Sequence, residues 1–282
     1  MRSGGLEADF EPAAGMHCLS LRHDGEELLA DVSAHVPDRP WASGIPQLLP
    51  WANRLGGFSY TFDGTTVELA ADDLYLEEHD LPLHGLRAAV TGWEVRHASG
   101  TRLVGGRRFA ARAFPFEHDV EVAAELRADT LTLSTSLTAG ERPVPITFGH
   151  HPFFRLPGVP RAEWELTLPV AERIAVDAQL IPTGERVPAG DLDGRLGDRT
   201  FDDGFTYAGG PFVLAGGGRR IEVVFEQGYG YAQVFAPAVA DVVCFEPMTA
   251  PADALRHSPP AVDAGDTFTA RFSVSIVKAS DR

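Results

Sequence analysis

The sequence predicts an all-β protein, an antiparallel sandwich, on three observations. Short apolar or alternating runs recur along the 282 residues, turn dipeptides separate them, and long helical periodicity is nearly absent. The 29 glycines and 21 prolines are scattered and not gathered into a linker, which suits many short strands joined by turns. No repeat, low-complexity tract or boundary divides the chain. Residues 1–282 therefore read as one domain, and β-sandwiches of about 200–250 residues do form single units.

In chain order, Phe58–Phe62 and Thr65–Leu69 read as strands joined at Asp63-Gly64, a two-residue hairpin signal. Val120–Leu126 and Leu131–Leu137 flank a second turn at Ala128-Asp129. Further strands are expected at Glu163–Leu168, Ile221–Phe225, Ala232–Phe235, Val242–Phe245 and Thr267–Ile276. Ala252–Arg256 has room for one helical turn. The polar stretch Pro182–Thr200 reads as a long surface loop.

Composition narrows the function. Lys and Arg number 24 against 40 Asp and Glu, a net charge of −16 that repels phosphate backbones and anionic lipid. No nucleic acid and no membrane partner is expected. No apolar run approaches the ~18 residues of a spanning helix. The first residues, MRSGGLEADFEP, carry acids and lack the apolar core of a secretory signal, so a cytoplasmic protein is expected. Cys18 and Cys244 are far apart and without metal-ligand spacing, so they read as buried free thiols.

A few segments place ionisable groups among apolar or turn residues. Asn53 and Arg54 follow Trp51 just ahead of a hairpin, and His84 precedes Gly85. His150 and His151 end an apolar run, Asp202 and Asp203 fall in FDDGF, and Glu246 follows Val242–Phe245 with Pro247 expected to stop the strand. Burial at such a strand end would raise the Glu246 pKa and make it a usable base. From pattern alone, a glutamate pointing into water is the plainer reading. Of two adjacent strand residues one faces inward, so His151 is either a satisfied core histidine or a proton donor near neutral pH. His84 reads equally as a turn residue, Arg54 as a surface side chain over Trp51, and the aspartates as solvated.

Taken in order, these segments resemble the aldose 1-epimerase family. The resemblance rests on Asn53-Arg54 with the following hairpin, Leu83-His84-Gly85, His151-Pro152-Phe153-Phe154, Asp202 ahead of Phe205, and Glu246-Pro247 with Pro251 and Asp253-Ala254 beyond. Ala113-Phe114-Pro115-Phe116 and Cys18-Leu19-Ser20-Leu21 add to it, so it spans almost the whole chain. It implies a galactose mutarotase-like β-supersandwich that binds a free hexose and interconverts its α and β anomers. By the same resemblance His151 protonates the ring oxygen and Glu246 takes the proton of the anomeric hydroxyl. Arg54, His84, Asn53 and Asp202 (or Asp203) hold the sugar. From the residues alone Trp51, Phe153 or Phe154 is a candidate to stack on it, with at least two of the three expected in the core.

The implied reaction moves only protons, so no cofactor and no metal is expected, and the partner is a small-molecule sugar bound by a monomer or homodimer. Acid and base are expected on opposite sides of the hemiacetal, with Glu246 ionised and His151 protonated. His150 stands where many close galactose mutarotases have asparagine, and Glu77-Glu78-His79-Asp80 lacks a frequent asparagine, which points to a broader branch of the family. Two alternatives remain at this point. A hexose-6-phosphate epimerase would need cations such as Arg87, Arg107 and Arg108 for the phosphate, and a carbohydrate-binding protein could share the fold without turnover.

Overall fold

The computed structural model describes residues 1–35, 39 and 41–278. It is built of antiparallel strands, and two large sheets carry most of them. The first has nine strands. From edge to edge they are Glu94–Ala98, Arg102–Ala111, Phe114–Arg127, Thr130–Ala139, Thr267–Lys278, Arg219–Gln227, Phe212–Gly216, Glu165–Thr167 and Gly194–Arg195.

The centre of this sheet shows why the sequence forms it. Along Phe114–Arg127 buried and more exposed residues alternate without a break, and Thr130–Ala139 alternates likewise. The two strands pair from Arg127↔Thr130 to His118↔Ala139. The turn between them is the expected Ala128-Asp129 pair, with Ala128 at φ 48°. The Asp63-Gly64 hairpin forms too, closing Phe62↔Thr65 with both turn residues at positive φ.

The second large sheet runs Pro182–Pro188, Val170–Val176, Phe201–Tyr207, Tyr231–Ala236, Val243–Met248, Gly149–His150 and Gln47–Leu48, with Phe153–Phe154 also paired on Val243–Met248. One face meets the nine-stranded sheet, where the Phe212 and Phe245 rings lie 5.3 Å apart and His150 lies 5.1 Å from Phe272. A single apolar cluster joins both sheets to buried residues of a four-stranded sheet near the amino terminus, Leu6, Ala8 and Leu21 among them. Removing that apolar surface from water is the main term holding the layers together.

The strand Val243–Met248 is buried along its whole length. Val243 and Phe245 enter the main core. Cys244 and Met248 join two small apolar clusters on the opposite face, with Phe153 and with Leu48 and Ala52. Glu246 shares that opposite face. Pro247 does not end the strand as expected, since Ala232↔Pro247 and Tyr231↔Met248 still pair. Its partner on the other edge changes from Phe153–Phe154 to Gly149 across this stretch, so the missing N–H falls in a ladder already interrupted.

The expected loop Pro182–Thr200 also contains a strand. Pro182–Pro188 forms the edge of the second sheet, with nearly every side chain in water, so it has no apolar alternation to betray it. Ala254–Arg256 forms the expected single turn. Both cysteines are buried free thiols. Among the described residues no helix is long and apolar enough to cross a membrane.

Two crossing segments, residues 49–55 and 82–86, cover the open face of the second sheet. Leu86 N–H donates to Leu49 O, and Leu55 N–H donates to Pro82 O. Gly85 makes the approach possible: it sits at φ +83°, and a Cβ there would lie 1.8 Å from Leu49 O. Gly85→Ala is therefore expected to destabilise the chain by several kcal/mol, as clash and left-handed strain combine. Urea denaturation measures this, and a loss under about 0.5 kcal/mol would contradict it.

Candidate active site

The site is built where these crossing segments meet the open sheet face. Asn53 and His84 both sit in the left-handed region, φ 60° and 56°, and they bind each other. His84 N–H donates to Asn53 O at 3.0 Å, and Asn53 N–H donates to His84 Nδ1 at 3.1 Å. The second bond fixes the imidazole tautomer. With Nδ1 accepting, neutral His84 carries its proton on Nε2 and is a donor there.

His151 follows the Gly149–His150 strand, held by its own N–H to Pro46 O at 3.1 Å. The two adjacent histidines part as strand geometry requires. His150 turns into the core, where its Nδ1 lies 3.2 Å from the Tyr229 hydroxyl. His151 turns to the open face and stacks on Phe153, centroids 4.2 Å apart.

His151 Nε2 lies 3.3 Å from Glu246 Oε1, with both side chains almost wholly buried. Gln233 stands opposite Glu246 on the next strand, and its Nε2 donates to Asp202 Oδ1 at 2.7 Å. Arg54 closes the ring by donating to Asp202 Oδ2 at 3.3 Å and to Glu77 Oε2 at 3.4 Å. Asp203 faces the other way and pairs with Arg173. These groups surround a cavity with about 540 Å³ of empty space, part of it open to solvent, into which Trp41 and Phe235 also project.

An aldose 1-epimerase family model matches residues 12–275. The chain belongs to the aldose 1-epimerase family. No curated protein matches it in sequence. Among solved structures it resembles a galactose mutarotase-like protein from Clostridium acetobutylicum, at 15% identity and TM-score 0.84 over 99% of this chain and 94% of that one. A GalM/aldose epimerase homologue from C. elegans matches at 16% identity and TM-score 0.82, covering 98% and 97% of the two chains. A galactose mutarotase related enzyme from Lactobacillus acidophilus matches at 18% and 0.81, covering 100% and 97%. At these identities the likeness establishes the fold.

Of the residues the family resemblance marked in the sequence, His151, Glu246, His84, Arg54, Asn53 and Asp202 converge on this one cavity. Two of the three candidate stacking rings lie in the core, as expected. Trp51 and Phe154 are core side chains, 1% and 0% exposed, and of the three only Phe153 lines the cavity.

Four contributors were missed. Glu77, in a run that reads as solvated acid, is buried and takes Oε1 hydrogen bonds from the His79 and Leu81 amides while steadying Arg54. Gln233 is a lone polar residue in an apolar strand, a signal that sequence does carry. Trp41, in an aperiodic loop, stands edge-on to His84 at 4.5 Å. Arg39 lies over the Trp41 ring. Glu77, Glu78 and His79 bring possible metal-ligating atoms within 4.8 Å of one another. Both Glu77 oxygens already accept hydrogen bonds, so this group serves to order Arg54.

Electrostatics in this cavity are set by burial. Desolvation, then the Asp202 charge, pushes Glu246 well above the ordinary carboxylate range, and Arg54 offsets this in part. Desolvation pushes His151 down to about 3 and His84 well below the usual imidazole value. Both directions oppose the expectation of an ionised Glu246 facing a protonated His151: inside a poorly solvated site the uncharged forms win. The proton count is unchanged, because a neutral pair is the tautomer of the ion pair with the proton on Glu246.

Two stability predictions follow from these contacts. Burial also lowers His17, His118 and His150, the last two to about 4 and about 3. A depressed imidazole contributes stability that is present above the unfolded value of about 6.5 and is lost as pH falls toward the folded value. Glu246 and Asp203 have the opposite sign, their contributions being lost as pH rises, but two carboxylates stand against five imidazoles. The melting temperature should therefore fall steadily between about pH 6.5 and pH 4; a flat profile would contradict the burial argument. Glu77→Ala should cost about 2–4 kcal/mol by leaving two amides without their acceptor and the buried Arg54 guanidinium with Asp202 as its remaining carboxylate. Adding Arg54→Met should recover part of that loss in urea denaturation, and strict additivity would show that the two side chains do not interact.

Proposed function

We propose that this chain is an aldose 1-epimerase that interconverts the α and β anomers of a free hexose by acid/base ring opening. One domain in the cytoplasm, requiring no cofactor, carries out the reaction. The observation that carries this reading is the direct contact of His151 with Glu246 at the floor of a cavity rimmed by His84, Arg54 and Asp202.

The chemistry needs a proton removed from the anomeric hydroxyl and another delivered to the ring oxygen. Those two oxygens are bonded to the same carbon. A donor and an acceptor standing side by side, as His151 and Glu246 do, can therefore reach both oxygens at once. Once the ring opens, the aldehyde turns about C1–C2, and closure on its other face gives the other anomer. The reverse step returns each proton to its origin. A pair sharing one proton serves both directions, since whichever group gives the proton in opening takes it back in closing.

His84 presents an Nε2–H donor, Asp202 a carboxylate acceptor and Arg54 a guanidinium donor for the sugar hydroxyls. Trp41, Phe153 and Phe235 supply the apolar wall. Buried polar atoms also support the reading. His151 Nδ1 and Glu246 Oε2 have no hydrogen-bond partner among the described residues, and leaving such groups unpaired costs about 1–3 kcal/mol each. A catalytic role is one explanation for retaining that cost.

The sugar-phosphate alternative finds less support. Arg87 and Arg107 donate to backbone carbonyls, and Arg108 pairs with Glu117 and Asp119. None of the three lines the cavity.

Glu246→Gln keeps shape and hydrogen bonding but loses the basic form. It should slow mutarotation of freshly dissolved α-glucose or α-galactose by about 10²–10⁴-fold while leaving sugar affinity within a few-fold. Polarimetry gives the rate and calorimetry the affinity. A variant as fast as the parent would refute the assignment, and a parent that binds sugar without accelerating mutarotation would identify a carbohydrate-binding protein.

A further inference from the structure

Asp253 lies just past the strand that carries Glu246, and it is buried, at 2% exposure, with φ 61°. A residue with a side chain holds that left-handed conformation only where its surroundings over-determine it. Here they do. Its N–H donates to Arg54 O at 2.8 Å, and its Oδ1 accepts from the Gly56 N–H at 2.7 Å. Arg256 Nη1 donates to Oδ2 at 3.2 Å, and His257 Nε2 lies 2.8 Å from the same oxygen. Arg256 Nε then donates to Ser59 O at 3.1 Å. Asp253 and Arg256 thus grip the chain at Arg54, at Gly56 and at Ser59.

The same clamp explains two glycines that the backbone does not require. Gly56 and Gly57 lie outside the left-handed region. A Cβ on Gly56 would stand 2.8 Å from Arg256 Nη1 and 3.2 Å from Asp253 Oδ2, and one on Gly57 would stand 3.3 Å from Arg256 Nη2. Bare backbone at both positions lets the guanidinium and the carboxylate close on the segment. Neither Asp253 nor Arg256 lines the cavity over His151 and Glu246. Arg54 does, and its own N–H and its side chain are held by Asn53, Glu77 and Asp202. Those bonds orient the guanidinium. The bond from Asp253 ties the Arg54 backbone to the continuation of the Glu246 strand.

We propose that Asp253 is a positioning residue for sugar binding, setting through Arg54 O and the Gly56 N–H where the Arg54 guanidinium stands relative to Glu246. The proposal rests on the epimerase reading, in which Arg54 binds sugar hydroxyls while His151 and Glu246 move the protons. Loosening the clamp displaces a group that binds substrate and transition state alike. It should therefore raise KM and leave kcat nearly unchanged. A carboxylate that only stabilised the fold would act otherwise. Its loss would lower the folded fraction, and with it kcat per mole of protein, at constant KM.

Asp253→Asn keeps the size and an acceptor for the Gly56 amide but loses the charge that draws in Arg256 and His257. For glucose and galactose it should raise KM in polarimetry, and Kd in calorimetry, about tenfold, with kcat within about threefold. Arg256→Met, at a side chain 29% exposed, should act in the same direction by about threefold, and it serves if the Asp253 variant does not fold. In an Arg54→Lys background, Asp253→Asn should add less than about twofold to KM, because the planar fork it positions is gone. Unchanged KM and Kd in both single variants, a fall in kcat alone, or a KM increase that persists undiminished beside Arg54→Lys would overturn the proposal. Any of these with normal turnover in the parent removes the positioning role and leaves the epimerase. A parent that binds sugar without turnover removes the epimerase, and the Kd values then decide the positioning role by the same criteria. A parent that neither binds nor turns over these sugars removes both.

Discussion

The two-residue period of one strand organises both the core and the site. Val243–Met248 lies between partner strands and is buried on both faces, so every side chain on it must be accommodated inside the protein. Val243 and Phe245 anchor the second sheet to the first. Cys244 and Met248 project the other way into small apolar clusters, and Glu246 stands between them. A shift of one residue in pairing would send Glu246 into the main core and Phe245 into the cavity. Register here is therefore held by the large hydrophobic term, and the placement of the carboxylate comes with it.

The same burial makes the pair chemically distinctive and energetically expensive. A carboxylic acid and an imidazole in contact, each short of a hydrogen-bond partner, are a net cost to folding, and the apolar core of two packed sheets offsets it. The surrounding network shows how the cost is contained. Glu77 is tied to two amides and to Arg54, Arg54 to Asp202, and Asp202 to Gln233. These four side chains satisfy one another, so that part of the rim is preorganised, while His151 Nδ1 and Glu246 Oε2 at the floor are left without a partner among the described residues. Preorganised groups need little rearrangement when charge develops on a substrate.

How much of this was legible in the sequence depended on the kind of signal. Alternation wrote the central strands plainly, as at Phe114–Arg127, because one face of each is in the core. Strands with both sides in water, such as Pro182–Pro188, gave no pattern and read as loop. The site residues were legible mainly through the ordered motifs of a family, since His84 alone is a turn residue and Glu246 alone a strand end. Trp51, Phe153 and Phe154 were alternatives for a stacking ring because each adjoins site residues in sequence, and two of them lie in the core as expected. A strand reverses the facing of neighbours, and residue 154 lies on the far side from 153. Glu77 was missed for a related reason: its burial comes from a loop folding over it, and no local pattern records that.

The facing of the pair also bears on which of its members is acid and which is base. Fixed roles would require a carboxylate that stays ionised and an imidazolium that stays charged, and burial at this depth opposes both. Contact at 3.3 Å permits another solution. A single proton can reside on either atom, and in the proposed reaction the substrate oxygens would decide which arrangement is preferred, because O1 and the ring oxygen exchange the parts of donor and acceptor between ring opening and closure. Interconverting two anomers is a nearly symmetric task, and neither direction should be favoured by the catalyst. A neutral pair that can shift its proton without creating net charge in a dry cavity meets that requirement more directly than a permanent ion pair, whose two charges would each have to be solvated by the fold.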